Sequence, residues 1–448
     1  MTSVIANWIT GILNLWPFLV TLGVLVFVHE LGHFLVARYH GVRCLTFSLG
    51  FGPKLIQTKR GDTVYCVSAI PLGGYVKMAG ENAEEEREGK DDEFLSKSKW
   101  QRFQILLAGP AMNFILAVVV MTVVLYQGAE VPVYQDQPPV VGSVVEDSPA
   151  ATADVRPGDR IMSVAGREVN TWEELFYAVL PRADREVEVV LRRDGEMRSI
   201  MLTPTGETEY NVGDLGVIPS ISPQVVSVQS NSAARDAGIV AGDVIEGIEG
   251  RTVNQESLVQ TINDNPDVPL SLQIRRDGAQ QDIVVTPNLV DGVGLIGVFL
   301  QPETRTIEPG PFEAFTLSLE QNYEWSGMIF QTLAGFFTRD TSPSQLVGPV
   351  GIAQLSGDAA EVGWISLFGL MSMISLNLGI LNLLPIPILD GGHIAIMALE
   401  GVSRRDFSVK LKEKMLLVGF ALLMTLMVTV IYNDLTRVAW IERLMIWR

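Results

Sequence analysis

This 448-residue sequence predicts a polytopic α-helical membrane protein with four transmembrane helices, a membrane-associated β-hairpin-like loop and a pair of extracytoplasmic α+β domains. Three observations lead there. Apolar side chains make up 48% of the chain and mean hydropathy is +0.27, too apolar for a soluble protein of this length. Four apolar stretches are each long enough to cross a lipid bilayer. Between the second and third, Gly128–Gly310 holds 29 Asp or Glu against 13 Arg and no Lys, which accounts for -16 of the net charge of -18 and marks an acidic soluble insert. Nothing basic or aromatic-interleaved there supports nucleic acid as a partner.

The first span runs from about Trp8 to Ala37, within a segment 1–38. No Lys or Arg precedes Arg38, so the positive start of a cleaved signal peptide is missing and the helix is expected to be retained. Arg38–Arg102 holds eleven Lys or Arg, six of them among the nine lysines of the chain. By the positive-inside rule the N-terminus is outside and the loop 39–102 is cytoplasmic. Inside this span stands HELGH, with His29, Glu30 and His33. Histidines four apart on a helix share a face, so both imidazoles can reach one metal while the glutamate handles the proton of water. An ionisable group at that depth costs about 2.5 kcal/mol or more unless partnered, and the chain has only four histidines. The pattern therefore points to a zinc-protease site at membrane depth, still lacking a third ligand.

After the metal helix, TFSLGFGPKLIQ and DTVYCVSAIPLGGYVKM alternate polar and apolar residues around Gly and Pro, which reads as strands and turns beside the active site. A helical substrate hides its carbonyls in its own hydrogen bonds and must unwind to be cut. The segment Asp62–Lys77, with Thr63, Val64, Tyr65, Gly73, Gly74 and Tyr75, is expected to offer the replacement strand. Cys44 and Cys66, the only cysteines, fit neither a metal clip nor a redox pair and are expected to be reduced and structural. Asn82–Lys99 is a mixed-charge solvated loop. The second span, Phe103–Tyr126 in a segment 103–127, carries Gly109, Pro110 and Asn113 near its start, small and helix-breaking residues that suggest close packing on the metal helix.

The insert divides into 128–220 and 221–309. VVGSVVEDSPAATADVRPGDRIMSVAGREVN is echoed by VVSVQSNSAARDAGIVAGDVIEGIEGRTVN, and Asp159 and Asp243 are equivalent at a distance of 84 residues. Short strands, a GD turn and two helix starts in each copy resemble the PDZ fold. Such domains bind extended peptides at a sheet edge, or these two serve only as spacers. Segment 310–345, rich in Phe and Leu but interrupted by Glu313, Glu320 and Glu324, is expected as one or two amphipathic helices on the outer membrane surface, or as packing against the repeats.

Segment 346–390 contains the third span, Trp364–Leu384, which ends in NLLPIPILDGGH. Asp390, beyond two helix-breaking prolines, either turns a carboxylate back as third metal ligand or closes a turn before a new helix. Two His and one carboxylate would leave the fourth position open, as a catalytic zinc requires. A cytoplasmic loop 391–415 with Arg404, Arg405 and the last three lysines follows, then segment 416–448 with the fourth span, Leu416–Tyr432. The C-terminus is expected outside, although Arg437, Arg443 and Arg448 weaken the charge asymmetry. His40 and His393 are assigned to packing or to the interface.

HELGH, GFGP, PLGGYVKM, the two PDZ-like repeats and NLLPIPILDGG together resemble the site-2 protease family of intramembrane zinc metalloproteases, in its bacterial regulator-of-sigma-E branch. The likeness covers nearly the whole chain. It implies that His29, His33 and Asp390 bind Zn2+, that Glu30 is the catalytic acid and base, and that Asn382 and Asn377 help hold substrate. It implies a multi-pass inner-membrane enzyme with periplasmic PDZ domains and termini. Its substrates would be single-pass membrane proteins, such as an anti-sigma factor already trimmed outside the membrane, or signal-peptide remnants. Two rivals come from other classes. A membrane-anchored PDZ scaffold with a structural zinc would call for four protein ligands, usually with cysteine, and none lies near. A metal transporter would call for more than one intramembrane ligand cluster.

Overall fold

The computed structural model describes residues 15–81, 89–206, 212–290, 292–338, 341 and 343–437. The expected start of the first span at Trp8, part of the Asn82–Lys99 run, and Arg443 and Arg448 lie outside the described residues. Two compact units form, one from Met1–Gln127, Glu308–Ala334 and Leu346–Arg448, the other from Gly128–Ile307 and Gly335–Gln345.

In the first unit, four helices are long and apolar enough to cross a membrane: α1 (Trp16–Tyr39), α2 (Lys99–Tyr126), α9 (Trp364–Asn382) and α11 (Val409–Arg437). Ser98 and Gln101 close a reciprocal capping box that starts α2. Where α1 meets α2, a Cβ on Gly32 would lie 2.3 Å from the Ala108 carbonyl oxygen, so glycine is what lets the two backbones approach. The helices α2 and α9 are joined by hydroxyls rather than by apolar packing alone: Ser372 donates to the Ala117 carbonyl and Ser375 to the Asn113 carbonyl, each at 2.8 Å. In an apolar surrounding such bonds fix register between helices that have no other reason to prefer one.

Segment 310–345, expected as one or two helices, forms one long helix, α7 (Pro311–Thr338). Within this unit its Ser318 shares a hydrogen bond with Thr122 at 2.8 Å, and Trp325, Ile329 and Leu333 pack with Phe114 on Ala117, Leu376 and Ile380. The helix therefore packs along α2 within this unit. A difference from expectation concerns the segment after Asp390. Rather than a loop to residue 415, it is a helix, α10 (Asp390–Ser403), stopped by Arg404 in the left-handed region, and α11 begins at Val409. Glu400, almost completely buried, binds Lys412 at 2.7 Å, Lys99 at 3.4 Å and the Phe407 N–H at 2.9 Å, which ties α10 to α11 and α2. At the other end of α11, Asp434 accepts the N–H groups of Gly348, Val350 and Gly351 at 2.9–3.1 Å and so caps α8 (Pro349–Val362).

The loop between α1 and α2 holds two long strands, β1 (Cys44–Arg60) and β2 (Thr63–Met78), each broken by bulges and folded back. As a result β1 meets β2 three times: residues 54–60 against 63–68, 46–49 against 64–67, and 46–49 again against 74–77. The ladders run in the order 54–60, 63–68, 46–49, 74–78, so the hairpin expected from the sequence is a small sheet. Thr63, Val64 and Tyr65 lie inside it.

The second unit contains two stretches of matching topology. In the first, β8 (Glu196–Leu202), β7 (Val187–Arg193) and β5 (Arg160–Val164) pair in that order, β6 (Arg167–Glu168) adds to β5, and β4 (Val141–Val144) pairs with β9 (Val217–Pro219). In the second, β14 (Ala279–Val285), β13 (Leu270–Arg276), β11 (Val244–Ile248), β10 (Pro223–Val228) and β17 (Val298–Pro302) follow one another, with β12 (Arg251–Thr252) on β11. Each stretch has its own apolar core, around Trp172 and Leu191 in the first and Leu258 and Ile274 in the second. The same ionic device recurs. Arg193 grips Asp159, and Arg276 grips Asp243, through two bonds of 2.7 Å each, with both aspartates about 1% exposed or less.

Candidate metal centre

The geometry of α1 brings His29 and His33 onto one face, and α10 begins with a carboxylate pointed at both. His29 Nε2 and His33 Nε2 are 3.2 Å apart, and Asp390 Oδ2 lies 3.2 Å from the first and 3.3 Å from the second. Ligands held about 2.0–2.1 Å from a tetrahedral zinc are separated by roughly 3.3 Å, so the three atoms already stand at coordination spacing. All belong to buried or half-buried side chains, and this is the one such cluster among the described residues. Asp390, the candidate third ligand, thus stands beside the histidine pair.

Each element contributes a reason for this convergence. On α2, Gly109 faces the site, and a Cβ there would sit 2.3 Å from His33 Nε2 and 2.8 Å from His29 Nε2. The missing side chain makes the room for both rings. His33 Nδ1 donates to the Ile105 carbonyl at 2.8 Å, which leaves its Nε2 as the lone-pair nitrogen turned toward the cluster. Asp390 is aimed by the turn before it. Ile388 holds φ of +108°, a strained value for a β-branched residue, while Gly391 and Gly392 pass within 2.2 and 2.1 Å of the Leu383 and Ile386 carbonyl oxygens, measured to where a Cβ would be. The donor set fits zinc: two imidazoles, neutral when they ligate, and one carboxylate, with their donor atoms already at coordination spacing.

Glu30 stands one residue from His29 with its carboxylate turned to the sheet, where Oε2 accepts the Val76 N–H at 2.9 Å. Of the six sheet residues expected to meet substrate, the fold separates two groups. Thr63 is buried and donates its hydroxyl to the Cys44 carbonyl, Val64 pairs with residues on both sides, and Tyr65 packs with Phe34 and Phe47. None of the three lies on an open edge, because an interior strand has both rows of backbone groups already engaged. Gly74 and Tyr75 lie in the outermost ladder and Gly73 directly precedes it; a Cβ on Gly74 would stand 3.7 Å from the Glu30 Cγ, and Tyr75 is stacked on Phe51. Asn382, at the end of α9, and Asn377, about one turn earlier, are both half-buried; among the described residues no hydrogen bond ties either to the His–His–Asp cluster. His40 bonds Gln104 at 2.6 Å and thereby joins α1 to α2. Val76 and the Ile105 carbonyl escaped sequence reasoning, since a backbone contact leaves no mark in residue type.

Comparison with known proteins adds the decisive observation. The family model of peptidase family M50 matches residues 17–426, which include the whole of the cluster. The chain belongs to peptidase family M50. Among its relatives in this family, the regulator of sigma-E protease RseP of Salmonella typhimurium is 36% identical over 450 residues, covering 95% of this chain and 98% of the relative. RseP of Escherichia coli K12 is 34% identical with the same coverage. A putative zinc metalloprotease of Vibrio cholerae is 33% identical and covers 98% of this chain and all of the relative. Four apolar helices with β domains are thus the frame of a membrane-bound M50 peptidase.

Proposed function

We propose that this M50 metalloprotease hydrolyses a peptide bond inside the transmembrane segment of single-pass membrane proteins in the bacterial inner membrane. The observation that carries the reading is the meeting of His29, His33 and Asp390 within 3.3 Å of one another, supplied by helices of the membrane unit and flanked by Glu30. His29 Nε2, His33 Nε2 and an Asp390 oxygen hold the ion. Zinc, when bound, supplies Lewis-acid chemistry that makes water more acidic and the scissile carbonyl more electrophilic. Glu30 takes the proton of the attacking water and returns it to the leaving amine nitrogen. Its carboxylate is oriented by the Val76 N–H, so that the base and the sheet edge form one unit. Gly74–Val76 then offers backbone groups to an unwound substrate strand, replacing the helical bonds that the substrate gives up.

Basic residues between α1 and α2 and again near Arg404 support a cytoplasmic placement of both loops, with the acidic insert outside. The two stretches of matching topology are read as PDZ-like domains that screen substrates by bulk. The substrate class is a pre-trimmed anti-sigma factor, in keeping with the sigma-E regulators named among the relatives. Glu30→Gln is the direct test. A variant that keeps one zinc per chain and loses cleavage of a single-pass substrate by 10²-fold or more, at about the magnitude of general-base loss, supports the roles. Loss of zinc together with activity would remove Glu30 from the proton-transfer role.

A further inference from the structure

Ile105, Gly109 and Asn113 recur every four residues and form one stripe of α2 that faces the two imidazoles. The first supplies a carbonyl to His33 and the second supplies space. The third is unexplained by packing. Asn113 is completely buried, its amide Nδ2 lies 3.1 Å from His29 Nδ1, and its Oδ1 is buried with no partner among the described residues. Its own carbonyl accepts Ser375 from α9, so the backbone at this position is held from the opposite side.

An amide N–H pointed at His29 Nδ1 would make that nitrogen the acceptor and put the ring proton on Nε2. Nε2 is the atom 3.2 Å from both His33 Nε2 and Asp390 Oδ2, and with a proton there His29 could not offer a lone pair. A half-turn of the carboxamide exchanges its oxygen and nitrogen with no other movement and removes the conflict.

We propose that Asn113 is a positioning residue of the metal site. Its Oδ1 accepts the Nδ1 proton of His29 and selects the tautomer whose Nε2 is free to bind a metal, matching what the Ile105 carbonyl does for His33. One helix, α2, thereby sets both histidines. The role rests on the zinc reading of the cluster and concerns affinity for the ion rather than the proton transfer.

The test measures zinc affinity of the full chain in detergent by competition with a chelator, for wild type, Asn113→Leu and Asn113→Asp. Leucine keeps the volume and removes the acceptor; zinc should bind about 10–100-fold more weakly. Aspartate keeps an acceptor at the same place, and its affinity should stay within about threefold of wild type, as for a carboxylate behind a ligating histidine. A packing role predicts the reverse, since a buried apolar side chain would be tolerated and a buried charge would not. Retention in Leu with loss in Asp, or equal loss in both, overturns the assignment. Should the Leu variant fail to fold, the Asp variant decides alone: near-wild-type affinity supports the role and a tenfold loss overturns it. A wild-type protein that takes up no zinc overturns this role and the metal reading together, and is told apart because the result does not depend on position 113.

Discussion

Adding a single methyl group at Gly109 should damage the metal site directly, because the new atom meets both imidazoles. A Cβ at this position would lie 2.3 Å from His33 Nε2, 2.6 Å from its Cε1 and 2.8 Å from His29 Nε2, whereas ordinary contacts begin at 3.4 Å. Relief requires one ring or the whole of α2 to move by roughly 1 Å, and displacements of that size in a catalytic group cost about 10²-fold in rate. Neither route is easy. His33 is tethered to the Ile105 carbonyl and α2 is tied to α9 through Ser372 and Ser375. Overpacking of this kind adds about 1–3 kcal/mol of strain. Gly109→Ala is therefore expected to weaken zinc binding by tenfold or more, on the order of the lower strain figure, and to lower turnover further. Gly23→Ala on α1 and Gly369→Ala on α9 meet nothing within 4 Å and serve as controls, with helix propensity favouring alanine by up to about 1 kcal/mol. Zinc competition and cleavage of a single-pass substrate in detergent measure both. If Gly109→Ala matches wild type within twofold in the two assays, the crossing of α1 and α2 is not what sets the site.

Three further outcomes are expected. Val76→Pro removes the N–H that holds Glu30 and the donor of the outer ladder, so cleavage should fall by about tenfold, the scale of one hydrogen bond to a charged group, while zinc content stays at the wild-type level; unchanged turnover would separate the sheet edge from catalysis. Burial works against ionising Asp159, but the Arg193 guanidinium and the Arg156 N–H outweigh it and hold its carboxyl below the usual carboxylate range. A depressed folded value means that this contribution is complete above the unfolded value of about 3.9 and disappears as pH falls through the folded one, so Arg193→Ala should move acid unfolding of residues 128–220 to higher pH by hydrogen exchange; an unshifted transition would refute the linkage. Deleting Val141–Pro287 should allow untrimmed membrane substrates to be cut if the acidic insert excludes by bulk, and an intact requirement for trimming, read on gels, would reject exclusion.

Much of this protein is legible in one dimension because its strongest signals are local. An 18-residue apolar window and two histidines four apart depend only on neighbours in the chain, so the spans, HELGH and the repeat with Asp159 and Asp243 could be read directly. Asp390 is visible as a candidate, yet it stands 357 residues beyond His33, and nothing in NLLPIPILDGG says that the carboxylate arrives 3.2 Å from His29, which requires the strained turn at Ile388 and the close approach of Gly391 and Gly392.

 The tertiary structure alone decided the rest. Thr63, Val64 and Tyr65 alternate like any edge strand, but bulges fold β1 back over β2 and place them in the interior, leaving Gly74–Val76 beside Glu30. The Glu residues of α7 mark an amphipathic helix, but only the fold shows that its Ser318, Trp325 and Ile329 pack along α2. Ile105, Gly109 and Asn113 read as the packing face of a membrane span, and only the crossing of α1 and α2 shows that the same face presents a carbonyl, a gap and an amide to the two histidines. The physical reason is common to all of these. Periodicity reports which face of an element is buried, while what that face touches depends on backbone contacts and long-range pairing that residue type does not encode.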